Sequence, residues 1–354
     1  NVAAGLAFLL CYRTEVRGLL ALVVTHTALI ALAALLFAYG GDWTRQMSNL
    51  LYADEVVFDH SSHYQHLTVT RRLIPASGEV VHAFYINGRS QFSTEDEHIY
   101  HGMLVYPAMA IAPRHDRVLI VGGGDGLALR DVLAWNPGQV DLIDLDEELI
   151  AMFSASGDNL PPWQRALTEL NGHSFADPRV NVTYGDAFVE IDRLSINRSR
   201  YDVIIIDLPD PSHPDLNRLY SDQFYARLKQ LLGANGVIVA QSTSPFHARK
   251  AFISIGRTMR AAGFEQVQQY RQNIPSFGEW GWTIATRQQL PPRQQLQALE
   301  TMPVPHDWLT RDLIVAAFEF PQGYFDDDSV EVNALGSHTV YRYHRDAWQR
   351  DLGI

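Results

Sequence analysis

The sequence predicts an α/β protein: a doubly wound parallel sheet, preceded by a small β domain and, ahead of that, an apolar helix. Three observations predict it. Residues 18–41 carry no charged side chain and are rich in Leu, Ala and Val. Residues 52–92 are strand-like and contain Asn87-Gly88, a type I′ hairpin signal. From Arg117 onward, short apolar runs alternate with amphipathic stretches, the pattern of parallel strands joined by crossover helices.

As a helix rising ~1.5 Å per residue, residues 18–41 cover roughly 36 Å, enough to cross a hydrocarbon core of about 30 Å. Residues 1–12 are also apolar but too short to span, and the chain does not begin with Met. They read as the stump of a preceding transmembrane helix, turned by a loop over residues 13–17. A signal peptide would have a charged start and a shorter apolar run. Arg13 and Arg17 weakly favour the inside for that loop. Residues 1–41 are therefore expected to be a truncated, multi-pass membrane unit.

Composition narrows the function. Of 354 residues, 47% are hydrophobic and 19% charged, which excludes a disordered chain. A net charge of −12 argues against non-specific nucleic-acid binding, which needs clustered Lys and Arg on phosphates. One cysteine, Cys11, excludes a disulfide framework and a cysteine-ligated metal site.

Strands are expected at 117–121, 140–144, 180–184, 202–207 and 236–241, with a late antiparallel strand at 278–285. Helices are expected at 127–135, 147–153, 187–194, 221–232 and 248–262. Residues 64–71 alternate as a strand, and Thr94-x-x-Glu97 reads as a capping box opening a helix to Ile111. The expected units are 1–41 (membrane), 42–95 (β), 96–290 (sheet) and 291–354, a tail without a readable pattern.

The first strand of the sheet runs into Gly122-Gly123-Gly124-Asp125-Gly126. Glycines let a backbone approach a ligand closely, and the helix start offers unpaired N–H groups. The sixth position of a dinucleotide GxGxxG is Leu127 rather than Gly, which weakens a nicotinamide or flavin reading. Asp144 ends the second strand, where a carboxylate accepts ribose hydroxyls. Asp186, after the third, is placed to accept from an adenine amino group. Together these features point to an adenosyl ligand. Asp125 inside the loop would repel a phosphate but suits an ammonium or sulfonium. No cation is evident nearby in sequence to pair with a substrate carboxylate. Two places before the first loop glycine, where ordinary methyltransferases carry an acid, stands Ile120.

The fourth strand ends Asp207-Leu208-Pro209-Asp210-Pro211. Two carboxylates three apart on a proline-stiffened loop make a small anionic site. One of them could hold a substrate ammonium and accept its proton, which an amine of pKa about 10 must lose before it becomes nucleophilic.

With these motifs in order, the chain resembles the spermidine synthase family, the polyamine aminopropyltransferases, and most of all their membrane-attached bacterial form. The matching residues are Tyr64-Gln65, Asp96-Glu97, Tyr100-His101, the GGGDG loop, Asp144-x-Asp146, Gly185-Asp186, Asp207-x-x-Asp210-Pro211 and Ala240-Gln241. The resemblance implies a Rossmann-like, S-adenosylmethionine-binding fold. It further implies a transferase that moves the aminopropyl group of decarboxylated S-adenosylmethionine to putrescine or a related amine. On that basis Asp207 is the expected proton acceptor and Asp210 its partner holding the amine. Asp125 is expected to hold the donor's ammonium, with Tyr100 and His101 lining the polyamine channel. Gln65, Gly122, Gly124, Gly126, Asp144, Asp186, Ala187 and Pro214 are expected around the donor. An in-line displacement at a carbon next to a sulfonium needs alignment and one base, so no metal is expected.

Two departures stand out. Gly102 replaces the family's usual Glu after Tyr-His, so a site acid is missing; Phe277 replaces a Tyr and is followed by Trp280 and Trp282. These aromatics suit either cation–π contact with an amine or the core. His60, His63 and His66, taken on one strand, point to alternate faces and are expected to be hydrogen-bonded rather than metal ligands. Glu97 is accounted for by the capping box. Two rival functions remain: a methyltransferase, which Ile120 disfavours, and a membrane polyamine sensor, which Gly102 keeps open. The expected partners are a small diamine and a lipid bilayer, with the chain a homo-oligomer. Its expected location is the inner membrane, with the catalytic part cytoplasmic.

Overall fold

The computed structural model describes residues 2–11 and 18–352; the loop expected over 13–17 lies outside the described residues. A helix over Val2–Cys11 lies against a long helix over Leu19–Leu51, with Gly5 meeting the ring of His26. Within the long helix, Leu19–Tyr39 has a mean hydropathy of 2.4, and none of its apolar window is buried. Leu20 and Phe37 are 80% and 95% exposed. By length and composition this segment is able to cross a membrane. The expected boundary at residue 42 shifts, because the helix continues to Leu51.

Four strands follow: β1 (Glu55–Ser61), β2 (His66–Leu73), β3 (Val80–Ile86) and β4 (Arg89–Ser93), an antiparallel sheet in chain order. The small β domain is thus larger than one hairpin. Asn87 and Gly88 both have positive φ, as a type I′ turn requires. Tyr64 and Gln65, expected on a strand, occupy the β1–β2 turn instead. The same turn separates His60 from His66, so the three histidines do not share one strand. His60 meets Glu148 and His66 meets Asp59.

The capping box does not form. The helix over Glu97–Ile111 has Asp96 at its N-cap, and Thr94 accepts from the backbone N–H of His82 instead. Glu97 is thereby released to other partners.

The main sheet contains β5 (Arg117–Gly122), β6 (Gln139–Asp144), β7 (Val180–Tyr184), β8 (Tyr201–Asp207), β9 (Leu232–Gln241), β10 (Gln266–Ile274) and β11 (Gly278–Thr286). Their order is β7-β6-β5-β8-β9-β11-β10, parallel except where β11 runs antiparallel to both neighbours. The sheet is wound on both faces. Val118 and Ile120 of β5 face a core built with the helix over Glu97–Ile111. Leu119 and Val121 face the opposite core, beneath the helices over Ala187–Ile196, Asp222–Leu231 and Arg249–Ala261. Period-two alternation puts each strand's apolar residues on both sides.

β10 escaped the sequence reading because its run, QVQQYRQNI, is mostly polar. As an edge strand it buries Val267, Tyr270 and Ile274, while Gln269 reaches Phe252 O and Thr283. The tail is likewise no separate unit. Leu296, Leu309 and Ile314 join the core of one face, and Val340 that of the other.

This packing explains Gly102. A Cβ at that position would lie 2.8 Å from Leu309 Cδ1 and 2.9 Å from His306 Nε2. The position faces the tail, so any larger side chain there would meet Leu309 and His306. Gly102→Glu should destabilise the fold by about 1–3 kcal/mol through overpacking, read as a lowered chemical-denaturation midpoint.

Candidate active site

Adjacent strands at the point where the sheet order reverses bring the glycine loop and Asp207 together. Gly122, the last residue of β5, pairs in parallel register with Asp207, the last of β8. The N–H of Gly123 donates to Asp207 O at 3.1 Å. Gly122 and Gly123 have φ of 83° and 70°, and a Cβ at Gly122 would collide with the Asp207 carbonyl. A Cβ at Gly124 would come within 2.9 Å of Asp144 Oδ2. Glycine here is required by close approach of backbone to the two acids. Gly126 differs: it packs against Phe175, Ser174 and Asn171, and its role is structural.

A cavity of about 220 Å³ opens at this edge. Among the expected site residues it is lined by Gln65, Tyr100, His101, Gly122, Gly124, Asp125, Asp144, Asp186, Ala187 and Asp207. The lining does not include Gly126, Asp210 or Pro214; Pro214 starts a short helix whose next residues, Asp215 and Leu216, do line it.

The acids are held in different states. Tyr100 donates to Asp207 Oδ1 at 2.8 Å. Burial pushes the Asp207 carboxyl up to about 6, with the His101 charge opposing, the Asp125 charge assisting and the Tyr100 hydrogen bond opposing. Asp125 is also raised, first by burial; His101 and the Leu127 N–H at 2.9 Å offset part of that. Asp144 rises to about 7, chiefly by burial, although its Oδ1 accepts from Asp146 N at 2.9 Å.

His101 is the cation among these carboxylates. Burial alone would lower its pKa, but the hydrogen bond to Glu97 and the charges of Asp125, Glu97 and Asp207 raise it to about 9. Its Nδ1 lies 3.0 Å from Glu97 Oε2 and 2.9 Å from Glu97 O. Glu97 in turn receives Arg130 at 2.8 and 3.1 Å. Burial opposes its charge, yet His101 and Arg130 hold it at about 2. Glu97 therefore anchors a charged relay, a role the capping-box reading missed. A cation does stand beside Asp125, which corrects the expectation of none. The ligand atoms of His101, Asp125 and Asp207 lie within 4.8 Å of one another, a spacing a metal ion also uses.

The small β sheet closes one side. Ser62, in the β1–β2 turn, donates to Asp146 Oδ2 at 2.6 Å, and His60 meets Glu148 Oε2 at 2.7 Å. Asp146 caps the helix over Glu147–Ser154. This clasp brings Gln65 over the cavity. Asp186 caps the next helix through Phe188 N at 2.9 Å and pairs with Arg218 at 2.7 Å. None of these long-range partners has a local sequence signal.

The expected pairing of Asp207 with Asp210 takes another form. Asp207 faces Tyr100 and the cavity, whereas Asp210 turns to His344 Nε2, 3.0 Å away. The aromatics resolve as well. Trp282 is fully buried and stacked on Tyr270 at 5.5 Å. Phe277 sits edge-on to Tyr100 at 6.0 Å, and Trp280 donates to Gln241 Oε1. They back Tyr100 and Gln241 and do not line the cavity.

The fold that carries this acidic pocket at the reversal of strand order has known counterparts. Residues 97–297 match the spermine/spermidine synthase domain. The chain belongs to that family. It is 46% identical to the polyamine aminopropyltransferase of Shewanella oneidensis over 100% of this chain and 62% of that protein. It is 36% identical to polyamine aminopropyltransferase 2 of Ralstonia nicotianae, over 89% of this chain and 58% of that one. The chain thus spans about three-fifths of the length of these relatives. A crystal structure of spermidine synthase with the transition-state analogue AdoDATO superposes with a TM-score of 0.64 at 25% identity, covering 75% of this chain and 85% of the other. Spermidine synthase from Thermotoga maritima gives 0.62 at 25% identity, covering 75% and 84%.

The Glu97–His101 pair has a defined pH window. The folded pKa of His101 lies above 6.5, so its contribution is complete below pH 6.5 and lost as pH rises through about 9. Glu97 is depressed from 4.5 to about 2, so its contribution is present above 4.5 and lost as pH falls through 2. Glu97→Gln should therefore cost most between those limits, about 3–5 kcal/mol for a broken buried pair. The loss should shrink above pH 9, as urea titrations at both pH values would record.

Proposed function

We propose that the chain carries the catalytic domain of a polyamine aminopropyltransferase. In this reading it transfers the aminopropyl group of decarboxylated S-adenosylmethionine to putrescine or a related diamine and releases methylthioadenosine. The observation that carries the reading is that Asp125 and Asp207 share one cavity with the imidazolium of His101 between them. The site accommodates positive charge on two reactants without a buried, unpaired carboxylate.

The glycine loop and Asp144 form a cradle into which a nucleoside fits, with Asp144 facing the ribose and Asp186 and Ala187 the base. Asp125 holds the donor's ammonium. The acceptor nitrogen attacks the carbon bonded to sulfur; the new C–N bond forms as the C–S bond breaks, and its electron pair leaves on the neutral thioether. The proton released by the acceptor ammonium passes to Asp207, whose raised pKa brings it nearer that of the donor group. Tyr100 fixes the accepting carboxylate by its hydrogen bond. Asp210 holds the acceptor's charge. The chemistry needs alignment and a base and calls for no metal.

We further propose that the unburied apolar segment Leu19–Tyr39 anchors the chain in the inner membrane as part of a multi-pass unit. The donor is a cytoplasmic metabolite class, so the catalytic domain belongs on that side; the chain is read as a homo-oligomer. Deleting residues 1–51 should shift the protein from the membrane to the soluble fraction in a flotation assay while methylthioadenosine release continues.

Incubation with decarboxylated donor and putrescine should yield methylthioadenosine by mass spectrometry, and Asp207→Asn should lower kcat about 10²–10⁴-fold. Because the base must be ionised, kcat/KM of the parent should rise with pH through about 6 and level off above it. Release of S-adenosylhomocysteine from S-adenosylmethionine instead would make the protein a methyltransferase and overturn the proposal.

A further inference from the structure

We propose that His344, on the helix over Thr339–Leu352, is a positioning residue for the acceptor: it orients the Asp210 carboxylate that receives the ammonium. The inference rests on the reading of Asp210 given above and adds a residue beyond the segment matched to the family, which ends at 297.

Asp210 lies in the irregular stretch between β8 and the short helix over Pro214–Asn217, so regular backbone does not fix its side chain. Among the described residues, two side chains approach the carboxylate: His344 Nε2 at 3.0 Å from Oδ2 and Gln241 Nε2 at 3.4 Å from Oδ1. Gln241 has no hydrogen to spare. Its amide nitrogen already donates to Leu208 O at 2.8 Å and to Tyr220 Oη at 2.7 Å, while the Tyr220 hydroxyl donates to Pro209 O. An amide nitrogen carries two hydrogens, and both are committed. The hydrogen bond that orients Asp210 is therefore the one shared with His344.

That ring is itself held. His344 is 1% exposed, so its ring has little room to turn. A carboxylate only accepts, so Nε2 carries the proton and gives it to Asp210; the indole N–H of Trp348, 2.8 Å away, is also only a donor and packs against the ring without sharing that bond. The start of its helix is tied to the wall of the cavity through Asn333, whose Oδ1 accepts from Thr339 N at 3.0 Å and whose Nδ2 donates to Asn217 O at 3.0 Å. Tyr341 N also donates to Asn217 Oδ1 at 3.1 Å. The helix holding His344 thus sits on the same short helix that presents Asp215 and Leu216 to the cavity. Asp210 stands just behind the cavity, whose lining includes its chain neighbours Leu208 and Pro209. With Oδ2 occupied by His344, Oδ1 is the oxygen left to take an ammonium.

The test compares full-length parent, Asp210→Asn, His344→Ala and His344→Gln, with separate Michaelis constants for donor and diamine. His344→Ala should raise the acceptor KM roughly tenfold or more, the value of one hydrogen bond to a charged group. The donor KM should stay within about twofold, because Asp125, in the loop after β5, and Asp144, at the end of β6, belong to other elements. His344→Gln, which keeps a hydrogen-bonding head, should recover part of the loss. Where His344→Ala no longer binds methylthioadenosine by calorimetry, His344→Gln against the parent decides by the same split. An unchanged acceptor KM, or an equal rise in both constants, overturns the inference. A parent that turns over, with Asp210→Asn impaired for acceptor and His344→Ala not, overturns it alone; a parent inert with every amine overturns the proposed function as well.

Discussion

Two carboxylates buried at one site repel each other and tend to take up protons, and the ion pair of Glu97 with His101 sets the limit on that tendency here. Burial raises Asp125 and Asp207, and the imidazolium within reach of both lowers them again. The ring can stay charged in a fully buried position because Glu97 lies against it, and Glu97 stays ionised because Arg130 closes the chain. The alternation of charge from Arg130 to Asp207 lets an acidic site exist in a low-dielectric interior.

One helix carries most of this. From Glu97–Ile111 come the Glu97 carboxylate, the Tyr100 hydroxyl and the His101 ring, on successive parts of its first turns. The rest of its surface is fixed by packing: Tyr270 of β10 donates to Met103 O at 2.7 Å, and Gly102 meets the tail. A change on the far side of the helix therefore reaches the site through a rigid element. The parallel register of Gly122 with Asp207 supplies the second constraint, since it fixes the loop and the base relative to each other by backbone hydrogen bonds alone.

The parts beyond the sheet serve the same edge from two directions. The small β sheet reaches it through Ser62 on Asp146, and the tail reaches it through His344 on Asp210. Each contact meets a carboxylate at or just beyond the carboxyl end of a strand. The site is thus walled by segments distant in the chain, consistent with ligands binding where strand order reverses.

Much of this was legible in the residues. Apolar runs located the central parallel strands, because a strand buried on both faces is apolar nearly throughout, and the alternating β–α pattern placed the edge strand VNVTY. Asn87-Gly88 fixed a turn, since few residues tolerate positive φ there, and the GGGDG loop with Asp144 and Asp207 marked the cavity. The capping box failed because a local motif competes with tertiary partners, and Thr94 and Glu97 found better ones. β10 was missed because glutamines on an edge strand give no apolar period. Gly102 reads in the sequence as a missing site acid, and in the fold Leu309 and His306 of the tail crowd its position. The sequence by itself determined which backbone could bend, which segments had to be buried and which acids lay at strand ends, for those follow from each residue's own sterics and solvation. Only the tertiary structure decided the charge on each acid and the partner of each polar group, because both depend on neighbours tens to hundreds of residues away that burial brings within hydrogen-bond reach.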